Sequence, residues 1–446
     1  GSSVCRKSDR NHAIVSAAMP SPKNTELLGN RYLISKSQVL GEGSTGTVYK
    51  GLDEESKRNV AVKVFSGTSE ADREGFMQSL KVSAQIKSHA SHASSMSEGR
   101  RASLNNNLIL EELKANLHTD AAIGLDNLVQ FLDVERCFVQ VLDFSRNDEK
   151  KPGVDETSGV YFIVLEMGGE SLEEELDKRT AERDDAGPMT PQEIKELLWS
   201  LLCITWGLHV CGFVHMDIKP LNIVKYESKG AKICWKLIDL EGSRESHAEL
   251  LNGAEASYTP VYMPPELAYL ISQPDKATKI TLSRLMDIWS VGMCATQAVF
   301  LTPILEPWFL QWGEETGNDG KFMKWLGDFT TEPIISGDIQ EHLKSIDPEF
   351  CNLLQGMLQK DPKDRFCAAR CIMHPYFADL RESLTKSLMK DKEKLEEEQD
   401  SFGDSDEEVQ EKPKVTPASN ARRQSWRRVS VSEWLPTMFP AKTEAG

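Results

Sequence analysis

Three separate clusters in this 446-residue chain hold side chains suited to handling a phosphate group. The first is Gly41-Glu42-Gly43-Ser44-Thr45-Gly46-Thr47-Val48. Glycines at GxGxxG spacing let a backbone approach phosphate oxygens, because no Cβ stands in the way. The same spacing occurs in ordinary hairpin turns, and in dinucleotide sites where it opens a helix. Here strand-like text lies on both sides and no helix follows, which favours a hairpin lying over a nucleotide. Seventeen residues after Gly46 comes Lys63, at the end of Val60-Ala61-Val62-Lys63. Alone, such a lysine is usually the solvating residue of an edge strand. Beside the glycine hairpin it fits a clamp for nucleotide phosphates.

The second cluster is His215-Met216-Asp217-Ile218-Lys219-Pro220-Leu221-Asn222. An Asp, a Lys two residues on and an Asn five residues on can converge from one loop on a hydroxyl nucleophile, a phosphate and a metal. The bland reading is a polar turn between a helix and a strand. The third, Lys236-Leu237-Ile238-Asp239-Leu240-Glu241-Gly242, is a short strand that delivers a carboxylate at its end. An oxygen ligand of that kind suits Mg²⁺.

The elements that must position these residues fall into two regimes. Between residues 32 and 167 the apolar runs are short and β-rich: RYLISKSQVLG, GTVYKGL, NVAVKVF, CFVQVLDF and VYFIVLEM. Polar turns separate them, as in a small antiparallel sheet. From residue 191 onward apolar residues recur at helical spacing. The polar stretch 66–107 reads as a long inserted loop carrying a short helix over 71–86. A further helical patch covers 108–117. Residues 288–305 are uncharged, near the minimum for a bilayer span. The favoured alternative is a helix buried all round inside a large core.

Composition narrows the classes. With 39% hydrophobic and 27% charged residues the chain can bury a sizeable core. Its net charge of −17 argues against a whole-surface grip on nucleic acid or anionic lipid. Nine cysteines without a CxxC pair read as buried thiols of a reducing compartment, not as a disulfide framework or zinc site. The text begins Gly-Ser-Ser-Val and displays no secretion leader. Residues 391–412 hold eleven acids against three bases, and residues 413–446 six bases against two acids. Together with residues 1–29, these segments are expected to lie outside the folded domain.

Taken together and in this order, the three clusters resemble the protein kinase family. The resemblance continues through Tyr258-Thr259-Pro260 to Pro265-Glu266, Asp287-Ile288-Trp289-Ser290-Val291-Gly292, and Asp361-Pro362-Lys363-Asp364-Arg365, and covers residues 30–378. It implies an α+β, two-lobed fold: an antiparallel β N-lobe at about 30–166, with the insertion at about 66–107, and a helical C-lobe at about 170–378. Residues 379–446 form the tail. ATP and Mg²⁺ are the implied cofactors, and the implied reaction is transfer of the γ-phosphoryl group to Ser or Thr hydroxyls of protein substrates.

The resemblance also implies roles. Gly41, Glu42, Gly43 and Gly46 cover the ATP phosphates, and Lys63 contacts the α- and β-phosphates. Val48, Ala61 and Val224 sandwich adenine, while Leu165, Glu166 and Met167 form the gatekeeper and hinge. Asp217 orients or deprotonates the substrate hydroxyl, and Lys219 stabilises charge on the phosphoryl group. Asn222 and Asp239 hold Mg²⁺. Glu266 pairs with Arg365, and Asp287 caps the backbone of the catalytic loop. For the ion pair with Lys63, Glu111, Glu112 and Glu74 are candidates, with Glu112 favoured.

Two departures stand out. Met216 replaces an arginine that commonly reads an activation-loop phosphate, so activity is expected not to depend on that switch. Glu241 replaces a glycine two residues after Asp239 and adds a carboxylate beside the metal site; a stiffer segment, attraction of a second cation, or weaker ATP binding through like-charge repulsion are the expected alternatives. They keep a second class open: a pseudokinase scaffold that binds nucleotide weakly or not at all. The Arg-Arg-x-Ser strings ending at Ser103, Ser425 and Ser430 resemble sites of basophilic kinases, and equally occur in many polar tails. Cytoplasmic or nuclear residence, no transmembrane segment, no nucleic-acid partner, and a contact of the C-terminal tail with the core or a partner complete the expectations.

Overall fold

The computed structural model describes residues 24–43, 45–95, 137–181, 187–227, 233–252, 258–273, 277–316 and 320–383. They divide into two compact units, one of residues Gly1–Phe76 with Val141–Met167, the other of Met77–Gln140 with Gly168–Gly446.

The first unit is built on six antiparallel strands: β1 (Thr25–Leu28), β2 (Tyr32–Gly43), β3 (Gly46–Asp53), β4 (Arg58–Phe65), β5 (Val141–Phe144) and β6 (Phe162–Glu166), in the spatial order β1-β2-β3-β4-β6-β5. Side chains alternate between faces of a strand, and β4 makes the sorting visible. Val60 and Val62 go into a core with Leu28, Tyr32, Ile34, Phe162 and Val164, against which Val64 packs. Ala61 and Lys63 therefore point to the opposite face. The register puts Val48 opposite Lys63 and Leu165 opposite Ala61, so all four share that face. Phe65 ends the strand in an aromatic cluster with Phe76 and Tyr161.

The helix α1 (Glu70–Ser95) is longer than the expected 71–86 and occupies much of the segment read as a loop. Its polar text hides it: Phe76, Leu80, Val82, Ala84 and Ile86 are buried among serines and lysines. The strand β1 is a second difference, because it lies inside the segment 1–29 expected to stand outside the domain. Four residues are too few for a sequence signal; pairing with β2 makes the strand, and Leu28 is fully buried by it.

The second unit is mostly helical: α2 (Leu172–Ala181), α3 (Pro191–Val210), α4 (Pro265–Ser272), α5 (Leu285–Phe300), α6 (Glu306–Thr316), α7 (Gly320–Leu326), α8 (Gly337–Ile346), α9 (Pro348–Met357) and α10 (Ala368–Ile372). Three antiparallel pairs join them: β7 (Phe213–Val214) with β10 (Arg244–Glu245), β8 (Ile223–Glu227) with β9 (Ile233–Leu237), and β11 (Glu249–Leu251) with β12 (Lys279–Thr281). The helix α3 starts where Thr190 and Glu193 cap each other reciprocally and Pro191 supplies the pre-set first turn. The uncharged run 288–305 includes most of α5, which is buried along its length. Among the described residues no helix is long and apolar enough to cross a membrane. Cys203, Cys211, Cys294, Cys351 and Cys371 are buried thiols outside any disulfide.

Candidate active site

Within the second unit, β7 leads into a loop whose backbone is held by one buried carboxylate. Asp287, on the first turn of α5, accepts the N–H of His215 at 2.9 Å and that of Met216 at 3.1 Å, and pairs with His209 Nε2 at 2.9 Å. That anchoring sustains an unusual conformation: Met216 has φ of 75°, which costs a non-glycine residue about 1–3 kcal/mol. The capping role expected of Asp287 is thus visible. His215, which sequence reasoning left without a role, braces the loop from inside. Its Nδ1 accepts the N–H of Asp217 at 3.3 Å and its Nε2 pairs with the Ile238 carbonyl at 3.1 Å.

Beyond this bend the polar side chains converge. Lys219 donates to Asp217 Oδ2 at 2.8 Å and to Thr259 Oγ1 at 3.0 Å, and Thr259 donates to Asp217 Oδ1 at 3.2 Å. Asn222 gives its amide N–H to the Asp217 carbonyl at 2.8 Å, which leaves Oδ1 as an oxygen donor. The 3₁₀ turn Pro220–Asn222 sets the spacing, for it folds Asn222 back over Asp217. The strand β9 joins the same point: the Ile238 N–H donates to the Asn222 carbonyl at 3.0 Å. Asp239 follows directly, with left-handed φ and ψ of 62° and 58°. Strain of this kind persists only where the surroundings enforce it. Glu241 does not carry it. Residue 241 sits in an ordinary 3₁₀ turn (Leu240–Gly242), so the expected stiffening has no counterpart in a lost left-handed glycine.

The side chain of Glu173 on α2 is held above the usual carboxylate range by burial and by Asp177, an effect that the ammonium of Lys219 opposes. Three other acids of that region are engaged: Glu170 with Lys178 and Lys225, Glu175 with Arg179 and Lys225, Glu174 with the Ser171 N–H. Farther down, Arg365 forms two hydrogen bonds with Glu266, as expected.

In the first unit the glycines divide by cause. A Cβ on Gly46 would overlap the Val64 carbonyl oxygen and lie 2.9 Å from Phe65 Cα, so packing between β3 and β4 demands glycine there. A Cβ on Gly41 would meet nothing within 4 Å, and one on Gly43 only the Gly46 carbonyl at 3.7 Å. Those two leave room for another molecule. Val48, Ala61, Lys63 and Leu165 share a face of the same sheet, and Glu166, next on β6, pairs with Val60. Met167 ends this unit; Val224 belongs to the second, where a Cβ on Gly168 would lie 2.5 Å from its Cγ1. Glu111 and Glu112 lie outside the described residues. Glu74 is described and exposed, and from residue 77 to 95 helix α1 contains no carboxylate.

The residues present fit a nucleotide with magnesium in their donor chemistry. Among the described residues no group of three or more His, Cys, Asp or Glu surrounds a metal site. Asn222 and Asp239 are a two-oxygen set, which magnesium accepts when phosphates and water complete its shell.

Comparison with known proteins identifies the family. Residues 105–377 match the family model described as "Protein kinase domain". The chain is 23% identical over 341 residues to "Serine/threonine-protein kinase 36" of Pongo abelii, covering 76% of this chain and 19% of that protein. It is 23% identical over 280 residues to "Mitogen-activated protein kinase 12" of Mus musculus, covering 57% and 65% of the two chains. It is 29% identical over 252 residues to "Serine/threonine-protein kinase 17A" of Oryctolagus cuniculus, covering 54% and 53%. This chain therefore spans only about a fifth of the first of these relatives. With its α+β architecture, its matched span and its polar loop around Asp217, the chain belongs to the protein kinase family.

Proposed function

We propose that the chain is an active protein kinase that moves the γ-phosphoryl group of ATP to Ser or Thr hydroxyls of protein substrates. The observation that carries this reading is the triangle of Asp217, Lys219 and Thr259, with Asn222 folded over it. In a phosphoryl transfer the protein acts by positioning and by charge stabilisation. Asp217 orients the acceptor hydroxyl and receives its proton at a carboxylate oxygen. Lys219, already within reach of Asp217 and Thr259, stabilises negative charge on the transferring group. Gly41 and Gly43 let the backbone approach phosphate oxygens, with Glu42 and Gly46 in the same turn, and Lys63 neutralises phosphate charge. Val48, Ala61 and Val224 enclose the adenine, and Leu165, Glu166 and Met167 line its edge. Asn222 and Asp239 hold Mg²⁺, which when bound neutralises the phosphates. Glu112 is the counter-ion proposed for Lys63.

The test is transfer of radiolabelled phosphate from ATP to a generic basic protein, followed by phosphoamino-acid analysis. Phosphoserine or phosphothreonine made by the parent chain, and lost in Lys63→Met and Asp239→Asn, supports the reading. A second reading, a nucleotide-binding or nucleotide-free scaffold, draws on one feature, the carboxylate of Glu241 two residues after Asp239. No transfer by the parent at any Mg²⁺ or Mn²⁺ concentration selects the scaffold.

A further inference from the structure

We propose that Gln78 and Lys81, on one face of α1, are positioning residues that hold the segment following Asp239 in its ordered form. The two are three residues apart, so they project from the same side of the helix. Gln78 Nε2 donates to the Ser243 carbonyl at 2.7 Å, and Lys81 Nζ pairs with Glu245 at 2.7 Å. Beside them Val82 and Ile86 enter the same core as Leu240 and Phe138, so the helix also covers the apolar residue next to Asp239. Its other edge is paired through the backbone, and within the segment the Arg244 guanidinium donates to the carbonyls of Glu241, Gly242 and Ser243. Arg244 and Glu245 form a ladder with Val214 and Phe213, and the Ser246 N–H donates to the Gly212 carbonyl at 2.8 Å. The segment is thus gripped between the strand leading to Asp217 and the side chains of α1.

The grip has a place to fill. A mobile segment next to a catalytic loop can be ordered by a phosphate read by an arginine. Position 216 of this chain offers a buried methionine for that task. Ser243 is fully buried, and its own hydroxyl has no hydrogen-bond partner among the described residues, so it adds nothing to its own anchoring. Gln78 bonds the same residue through its carbonyl. Lys81 and Glu245 lie closer to solvent, where a pair of this kind is weak alone and serves to fix register.

The clamp itself is independent of the proposed kinase activity; only its effect on turnover rests on that reading. Hydrogen exchange measured on the full chain tests the clamp directly. The variants are Lys81→Glu, Glu245→Lys, the two combined, and Gln78→Ala, with Lys81→Gln as a milder substitute. Each single variant is expected to speed exchange of the amides between residues 240 and 246 by about fivefold or more, with the exchange of α5 unchanged as the control for folding. The charge-swapped double variant restores slow exchange. If the parent transfers phosphate, the singles lose about tenfold in kcat, KM for ATP stays within about twofold, and the swap rescues kcat. Unchanged exchange in Gln78→Ala and Lys81→Glu, or acceleration that the swap leaves in place, overturns the clamp. A parent without transfer overturns the kinase reading alone, because exchange still judges the clamp.

Discussion

Glu266 and Arg365, 99 residues apart in the chain, meet through two parallel hydrogen bonds of 2.8 Å with both side chains almost wholly out of water. Arg365 also donates to the carbonyls of Leu285, Gln359 and Lys360. It ties the start of α4 to the start of α5 and to the turn after α9. Removing one member of a buried pair leaves the other charge uncompensated, at a cost of about 3–5 kcal/mol. Glu266→Ala is therefore expected to lower the stability of the second unit by that amount in urea unfolding. A midpoint equal to that of the parent would refute this.

The glycine hairpin separates packing from ligand effects. Gly46→Ala forces a methyl group into the β4 backbone and should lose about 1–3 kcal/mol of stability, measured by denaturant midpoint. Gly41→Ala meets nothing and should leave the midpoint unchanged, raising KM for ATP instead. The opposite pattern would reverse the assignment of the two glycines.

Thr259 bridges the ammonium of Lys219 and the carboxylate of Asp217. Valine keeps the shape and loses both bonds; serine keeps them. Thr259→Val should reduce kcat for phosphate transfer by about tenfold, while Thr259→Ser stays within about threefold of the parent. Equal losses in the two variants would assign Thr259 to packing.

Lys360 is almost fully buried. Its ammonium lies 3.8 Å from the centre of the Trp325 ring and bonds to the Trp325 carbonyl and the Thr331 hydroxyl. Burial lowers its pKa to about 8, against the attraction of Asp328. Between that value and the ordinary 10.5 the unfolded chain binds a proton that the folded chain has shed. Stability from this group therefore rises with pH across the window, by up to about 3 kcal/mol, and is at its lowest below pH 8. Chemical unfolding of the parent and of Lys360→Met from pH 7 to 10.5 checks it. The difference between the two should change with that sign, and a flat difference would discard the effect.

What could be read from the text was whatever local spacing or a strong apolar pattern specifies. The convergence of Asp217, Lys219 and Asn222 is set within six residues of one turn. The buried character of α5 follows from its uncharged run. The pairings of Asp287 with the loop backbone and of Glu266 with Arg365 came with the resemblance, since separations of 71 and 99 residues have no local signal. Where tertiary contact decides, the text was mute. Four residues at 25–28 become a strand because β2 lies beside them, and a serine- and lysine-rich stretch becomes the helix α1 because five of its side chains reach apolar cores. Thr259 was visible only as a residue ahead of Pro-Pro-Glu; its bond to Asp217 depends on a loop returning across 42 residues. Gln78 had no signal, because an amide on a polar helix looks like any solvated residue.

One side chain in the loop beside Asp217 sets how such an enzyme would be governed. The thioether of Met216 is apolar and packed inside, and it has no means of recognising an added phosphate. Phosphatase treatment of the parent would then leave turnover where it was. The segment after Asp239 is held instead by contacts within the chain, Gln78 to the Ser243 carbonyl and Lys81 to Glu245.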